Sequence, residues 1–363
     1  MQRMPRGVLI MTAFLCASLA AFDEPRVPSR SDKLPRKVIV GSAHIKPFWW
    51  QWPGLEKRLE QIEAVIDAQA ELSKKKYGRT PDLLTLPEGN VTAGLEGDAL
   101  AISLPLEGPI QEFFARKARQ YNTYIVISMN LLEDREKKIA SNAAILMDRK
   151  GAVAGLYRKM HLACAPDPST LEFGLQPGKD VPVFECDFGK LGLQICLDIS
   201  FDYGWRELAR KGAEIVIWPT WRHGCAAACA RSRQHRYYIV SSVWGENCMI
   251  LDPIGKITAS AQQPEGLLVH ELDLSYAILP SWGGRLGEEG GKMKEKFGAQ
   301  IGFRCYGDEG LHLFWSNDPK TSIREMARSI GVSEYEDLMH QMRETYRQAG
   351  VPGQTAGAEA ASK

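Results

Sequence analysis

Short apolar runs, each closed by a helix or a tight turn, recur between residues 37 and 275 and limit the fold most strongly. Three pairs of runs are joined by short turns, at 149–151, at 189–190 and within 248–260, which predicts antiparallel hairpins. Other runs alternate with segments of helical periodicity, such as 55–75. The chain is therefore predicted to be an α/β protein whose mixed sheets are covered by helices.

No change in composition divides residues 37–275, so this region is predicted to be one domain. From residue 276 the chain is rich in glycine and charge, and an amphipathic stretch follows from Pro319 to about Gln348. Residues 276–348 are therefore predicted to be a C-terminal helical extension that acts as an interface arm. Residues 349–363 are small and polar, and we expect them to be disordered.

Residues 1–20 have the pattern of a signal peptide. Arg3 and Arg6 precede an apolar run, and Ser18 and Ala20 are placed for cleavage after Ala20. The run is too short to favour a transmembrane span, and an uncleaved anchor is the alternative. We therefore expect an exported protein, periplasmic or extracellular, with a linker at residues 21–36.

Charge and cysteine content limit the partners and the redox state. The formal charge of +1 falls to −1 when cleavage removes the two arginine charges, so nothing in the bulk charge favours nucleic acid or an anionic membrane. Loss of Cys16 would leave seven of the eight cysteines. An odd number leaves at least one thiol unpaired in an oxidising compartment, and the other pairings stay open.

The stretch GKLGLQICLDIS, residues 189–200, is predicted to be a strand that ends on Cys196. Open α/β sheets place their chemistry at such strand ends. Packing is the alternative, because free cysteine is among the most buried residue types. The position alone does not decide between the two, so the rest of the chain must.

Two more predicted strands end on reactive side chains, LPEGN on Glu88 and YRKMHL on Lys159. Each alone is typical of a surface charge. Together with Cys196, and followed by Asp198, LARKGAEIVIWPTW and DPIGK in that order, they resemble the nitrilase, or carbon–nitrogen hydrolase, superfamily over residues 37–275. The resemblance implies a four-layer α-β-β-α sandwich with two mixed, six-stranded sheets. It also implies a homodimer or higher homo-oligomer and no cofactor.

The resemblance implies that Cys196 is the nucleophile, Glu88 the general base and acid, and Lys159 the cation that stabilises the oxyanion. Elementary chemistry agrees. A thiol is largely protonated at neutral pH and needs a base, and a desolvated carboxylate has its pKa raised toward that task. The backbone N–H of Leu197, directly after the nucleophile, is expected to complete the oxyanion hole.

Relatives that act on amides carry a second glutamate before a Pro-Gly turn, and Glu172 stands in the matching region; a surface glutamate is the alternative. Trp205, Trp221 and Asp198 are candidates for the substrate pocket, although packing explains each tryptophan equally well. Many relatives have arginine where Ser200 stands, so their substrate preferences do not transfer.

The predicted activity is hydrolysis of a small amide or N-carbamoyl compound with release of ammonia or an amine. Nitrile hydrolysis and N-acyl transfer would use the same three residues. A catalytically silent binding protein of the same fold is the alternative outside enzymes. A metal site in HGCAAACARSRQH, with His223, Cys225, Cys229 and His235, is a further alternative, but its spacing does not match common zinc patterns.

Overall fold

The computed structural model describes residues 33–45, 51–164, 171–221, 224–245, 247–261, 266–282 and 285–351. The predicted signal peptide, most of the linker and most of the polar tail lie outside these ranges. The described residues fall into a large unit up to Leu338 and a short piece from Met339 onward. In the described parts of the chain, no helix combines the length and the apolar character needed to cross a bilayer.

Twelve strands build the described part of the main body. In chain order they are β1 Lys37–Ile45, β2 Leu83–Thr85, β3 Tyr124–Asp134, β4 Ile139–Met147, β5 Val153–Arg158, β6 Val183–Cys186, β7 Gly189–Leu193, β8 Ile215–Thr220, β9 Tyr238–Trp244, β10 Cys248–Leu251, β11 Ile257–Ala261 and β12 Leu267–Asp273. Within the described residues, four helices accompany them: α1 Leu55–Tyr77, α2 Pro109–Tyr121, α3 Asp202–Arg210 and α4 Cys225–His235. The three predicted hairpins are present as β4–β5, β6–β7 and β10–β11.

The strands form two six-stranded halves. One half has the order β5-β4-β3-β2-β1-β12, and the other contains β6-β7-β8-β9 with β10 and β11 beyond β9. A short parallel contact between β1 and β9, His44 opposite Val243, joins the halves. Parallel pairs such as β2–β3 and β7–β8 occur beside antiparallel pairs such as β3–β4. The predicted mixed sheets are thus confirmed.

Alternation along the strands separates the layers, because successive side chains point to opposite faces of a sheet. On β3, Val126 lies in the core between the two sheets, whereas Ile125 and Ile127 pack under α1 and α2. On β8, Ile217 faces the same central core and Trp218 packs under α3 and α4. The result is the four-layer α-β-β-α sandwich.

The C-terminal extension differs in part from its prediction as helical. Its first half contains a three-stranded antiparallel sheet in the order β13-β15-β14: β13 Ala277–Pro280, β14 Ile301–Tyr306 and β15 Leu311–Ser316. Three helices accompany it in the part of the extension that the structure describes: α5 Gly291–Phe297, α6 Ile323–Arg328 and α7 Tyr335–Gln348. The predicted continuous stretch from Pro319 to Gln348 is therefore two helices. It breaks after Arg328, and Gly331 adopts a left-handed φ of 73°, which favours glycine.

The topology brings four strand ends to one edge of the sandwich. β2 and β3 are parallel, and two antiparallel steps through β4 make β5 parallel to β3. In the other half β7, β8 and β9 are parallel. The segments after β2, β5, β7 and β8 carry Glu88, Lys159, Cys196 and Trp221. In α/β sheets this is the edge that holds ligands.

Candidate active site

Cys196 lies in a strained turn. Strand β7 ends at Leu193, and a 3-10 turn begins at the cysteine and runs to Ser200. The φ of Cys196 is 44°, in the left-handed region that costs a non-glycine residue roughly 1–3 kcal/mol. Such a conformation persists only where neighbouring contacts hold it. The strand is thus shorter than predicted, and the cysteine stands on a turn beyond its end.

Asp198 supplies those contacts. Its side chain is fully buried, and its two oxygens accept from four donors. Oδ2 accepts from the backbone N–H of Ile195 over 2.9 Å and from the Tyr157 hydroxyl over 2.7 Å. Oδ1 accepts from the backbone N–H of His161 over 3.0 Å and lies 2.8 Å from its Nδ1. Asp198 therefore fixes the turn that presents the thiol, and its burial removes it from the predicted pocket.

Glu88 follows β2 and is held on both sides. Its backbone carbonyl accepts from the Trp244 indole over 2.7 Å, and the next N–H, of Gly89, donates to the Ser128 hydroxyl over 2.9 Å. Its side chain is 3% exposed. Oε1 accepts from Lys159 Nζ and from Asn142 Nδ2, each over 2.8 Å. Oε2 is buried and has no nitrogen or oxygen donor among the described residues.

Lys159 connects two carboxylates. Its Nζ donates to Glu88 Oε1 and to Glu172 Oε2, both over 2.8 Å, and its side chain is 2% exposed. Burial alone would lower the pKa of Lys159, but the two carboxylates outweigh burial and raise it. The ammonium group therefore stays charged throughout the neutral range. A fixed positive charge is what a developing oxyanion requires.

Glu172 lies in the same network and is not a free surface residue. It begins a 3-10 turn, Glu172–Gly174, and its φ is 36°. Oε1 accepts from Asn142 Nδ2 over 2.6 Å, and Oε2 also accepts from the backbone N–H of Ala163 over 3.0 Å. Its side chain is 12% exposed, so this carboxylate is the part of the network nearest to solvent.

Burial dominates the acid–base properties of the two reactive groups. It raises the pKa of Glu88, an effect that Lys159 partly offsets and Glu172 reinforces. It raises the pKa of the Cys196 thiol to about 12, with a further contribution from the Glu88 charge. The thiol and Glu88 also influence each other, because the neighbouring thiol lowers the pKa of Glu88 and the carboxylate raises the pKa of Cys196. The cysteine is therefore a protonated thiol at neutral pH, and the Glu88 carboxylate is a neighbouring group that can accept its proton.

The pocket candidates divide by burial. Trp221 is 38% exposed, its ring stacks on Trp244 at 5.0 Å, and its backbone N–H donates to the Cys196 sulfur. Trp205 is fully buried, and its indole donates to the Asp198 carbonyl over 2.8 Å. Trp205 therefore packs in the interior and does not line the pocket as predicted. Leu197 is partly buried, and the role of its N–H in the oxyanion hole stays a prediction.

Asn142 is the residue that sequence reasoning missed. It lies on β4, it is 3% exposed, and its amide nitrogen donates to both Glu88 and Glu172. Its backbone carbonyl also accepts from the Lys159 N–H over 2.9 Å. A single asparagine in an apolar strand carries no motif. The usable signal was its polarity, since a polar residue in a buried strand requires a partner.

The cysteine pair of the rival metal site lies on α4. The sulfurs of Cys225 and Cys229 are 4.0 Å apart, and His235 instead lies 3.1 Å from Asp202. His223 lies outside the described residues. Among the described ranges no three His, Cys, Asp or Glu side chains converge as a set of metal ligands.

Comparison with known proteins finds a matching protein family and similar sequences in other organisms. The family model described as carbon–nitrogen hydrolase matches residues 39–279. A probable nitrilase of Schizosaccharomyces pombe is 29% identical over 188 residues, covering 47% of this chain and 67% of that protein. Human deaminated glutathione amidase is 27% identical over 240 residues, covering 57% of this chain and 71% of that protein.

A solved structure shares the fold. The crystal structure of Saccharomyces cerevisiae Nit3, a member of branch 10 of the nitrilase superfamily, superposes with a TM-score of 0.56 at 22% identity. The match covers 66% of this chain and 91% of that one. This agreement concerns the backbone architecture.

Proposed function

Because the chain belongs to the carbon–nitrogen hydrolase family and acts on C–N bonds other than peptide bonds, we propose that it cleaves a small amide or N-carbamoyl compound through a thioester on Cys196. The observation that supports this proposal most strongly is the buried hydrogen-bond network near the cysteine. Glu88, Lys159 and Glu172 are joined by hydrogen bonds of 2.8 Å through one ammonium group, and the Glu88 charge raises the pKa of the Cys196 thiol. The amidase name among the relatives supports the same reading.

The first half of the reaction forms the thioester. The Cys196 sulfur attacks the carbonyl carbon while its proton passes to Glu88, because a thiol with a pKa of about 12 does not ionise by itself near neutral pH. The tetrahedral oxyanion is stabilised by Lys159 and by the Leu197 N–H. The C–N bond then breaks, Glu88 returns the proton to the departing nitrogen, and ammonia or an amine leaves.

The second half restores the enzyme. A water molecule attacks the thioester carbon and loses a proton to Glu88, and the same oxyanion donors act again. The C–S bond breaks, and the sulfur regains the proton from Glu88. The products are a carboxylic acid, or a carbamic acid from a carbamoyl substrate, and the free thiol.

Nitrile hydrolysis is the second candidate, favoured by the name of the probable nitrilase among the relatives. The same attack on a nitrile carbon gives a thioimidate, which two waters convert to an acid and ammonia. N-acyl transfer would replace the water of the second half with an amine. These reactions differ in substrate and not in the residues they need.

The test is a screen of simple amides, N-carbamoyl amino acids and nitriles for ammonia release. We expect release from at least one class and its loss in Cys196→Ala. The matched control is Cys305→Ala, which removes a thiol from β14 in the C-terminal sheet. Retained ammonia release by Cys196→Ala would refute the thioester mechanism, and equal loss in both variants would show that folding and not chemistry was affected.

Two further proposals concern the whole protein. We propose export through residues 1–20, to be tested by fractionation of the expressing cells and N-terminal sequencing of the mature chain. We also propose a homodimer, to be tested by light scattering coupled to size exclusion.

A further inference from the structure

We propose that Asn142 is a positioning residue that directs the exchangeable proton of Glu88 to Oε2. The inference rests on the proposed function in one respect, namely that Glu88 is the base for Cys196. It adds a residue to the machinery that no motif marks.

The two oxygens of Glu88 have different surroundings. Oε1 accepts from Lys159 Nζ and from Asn142 Nδ2, each at 2.8 Å. A proton on Oε1 would point at N–H groups that can only donate, so its free energy would be unfavourable. Oε2 has no such donor among the described residues and is buried. The carboxylate therefore exchanges its proton through Oε2.

The orientation of the Asn142 amide follows from its two partners. Its nitrogen lies 2.8 Å from Glu88 Oε1 and 2.6 Å from Glu172 Oε1. The flipped amide would place an acceptor oxygen against two carboxylate oxygens, which is repulsive. Only the NH₂ orientation satisfies both carboxylates, and it uses both amide hydrogens. Asn142 thus joins the two anions without adding a charge.

Four groups from different elements surround the Glu88 carboxylate. They are Lys159 after β5, Glu172 in its 3-10 turn, Cys196 after β7 and Asn142 on β4. Lys159 favours the ionised form, whereas Glu172 disfavours it. Asn142 donates to Oε1 over 2.8 Å, and a hydrogen bond to the charged form favours that form. Loss of the Asn142 donor therefore raises the pH at which Glu88 becomes a competent base.

The experiment measures alkylation of Cys196 by iodoacetamide as a function of pH, resolved by peptide mass spectrometry, and needs no substrate. In Asn142→Ala we expect the acid-side midpoint to move up by about one pH unit, which is about a tenfold lower rate below the midpoint. The control Ser141→Ala removes a neighbouring hydroxyl that donates to Glu133 over 2.6 Å, outside this network, and should leave the profile unchanged.

A second variant keeps the shape of the residue. Asn142→Asp preserves the shape of the side chain but replaces the donor with an acceptor beside two carboxylates. We therefore expect slower alkylation than in Asn142→Ala. A uniform loss of rate at every pH without a moved midpoint, or faster alkylation in the Asp variant than in the Ala variant, would overturn the proposal. Ammonia release by the wild type is a separate readout, so failure of the proposed function would be seen independently.

Discussion

The ammonium group of Lys159 lies 2.8 Å from Glu88 Oε1 in an ion pair whose side chains are only 2% and 3% exposed. Removing two charges from water is costly, and the attraction between them offsets that cost only when hydrogen bonds satisfy both groups. Here Glu172 accepts from Lys159 and Asn142 donates to Glu88, but Glu88 Oε2 has no donor among the described residues. The pair is therefore poor evidence for stability and good evidence for a site where charge is needed.

Removal of the cation should destabilise the fold as well as stop turnover. Lys159→Met leaves the buried Glu88 and the partly buried Glu172 without this counter-charge, and we expect a loss of about 3–5 kcal/mol in the free energy of unfolding. Urea denaturation measures it. The control is Lys137→Met, since Lys137 is 75% exposed in its pair with Asp134 and should change stability by less than about 1 kcal/mol. Equal effects of the two substitutions would contradict the buried charge network.

The pH dependence of turnover should follow Glu88. The base must be ionised to accept the thiol proton. The value of kcat/KM should therefore be full above the pKa of Glu88 and fall as the pH drops through that pKa. Because burial raises that pKa, the acid limb should lie above the ordinary glutamate value of about 4.3. An acid limb at or below that value would show that another group controls the step.

Glu172→Gln should move the acid limb of the pH profile to lower pH, whereas Asn142→Ala should move the acid-side midpoint to higher pH. The charge of Glu172 raises the pKa of Glu88, so its removal should shift the acid limb of kcat/KM to lower pH while kcat falls. Glu185→Gln is the control, since Glu185 is 73% exposed in a surface pair with Lys190. A limb that stays in place would remove the electrostatic role of Glu172.

The two tryptophans should separate binding from folding. Trp221→Ala keeps the N–H that contacts the Cys196 sulfur and removes an exposed ring, so we expect KM to rise about tenfold or more with little change in stability. Trp205→Ala empties a fully buried position and should cost about 3–5 kcal/mol of stability. Thermal unfolding and steady-state kinetics of both variants test the assignment. A large loss of stability in Trp221→Ala together with a raised KM and unchanged stability in Trp205→Ala would contradict it.

Much of this arrangement was predictable because it depends on local patterns. Hairpin turns and helical periodicity placed the strands, and strand ends placed Glu88, Lys159 and Cys196 at one edge. Asn142 was not predictable in this way. Its role depends on the pairing of β4 with β5, in which Ala143 lies opposite Arg158, and register between strands is set by the whole sheet.

Burial was the other quantity that local patterns could not give. Trp205 and Trp221 look alike in the sequence, yet one packs beneath the nucleophile turn and the other stands beside it. The C-terminal sheet was missed for a related reason. Its strands β13 and β15 are hydrogen-bonded neighbours, but α5 and β14 separate them along the chain. Contacts of this kind are decided by tertiary packing and not by propensity.

The most direct test compares Cys196 with Cys186. Burial raises the pKa of both thiols to about 12, so ionisation alone predicts equally slow alkylation. Of these two thiols, only Cys196 has its pKa affected by Glu88. In peptide-resolved iodoacetamide labelling at neutral pH, Cys196 should react well ahead of Cys186 and lose that advantage in Glu88→Gln. Equal, slow labelling of both thiols in the wild-type protein would contradict the claim that Cys196 is an activated nucleophile.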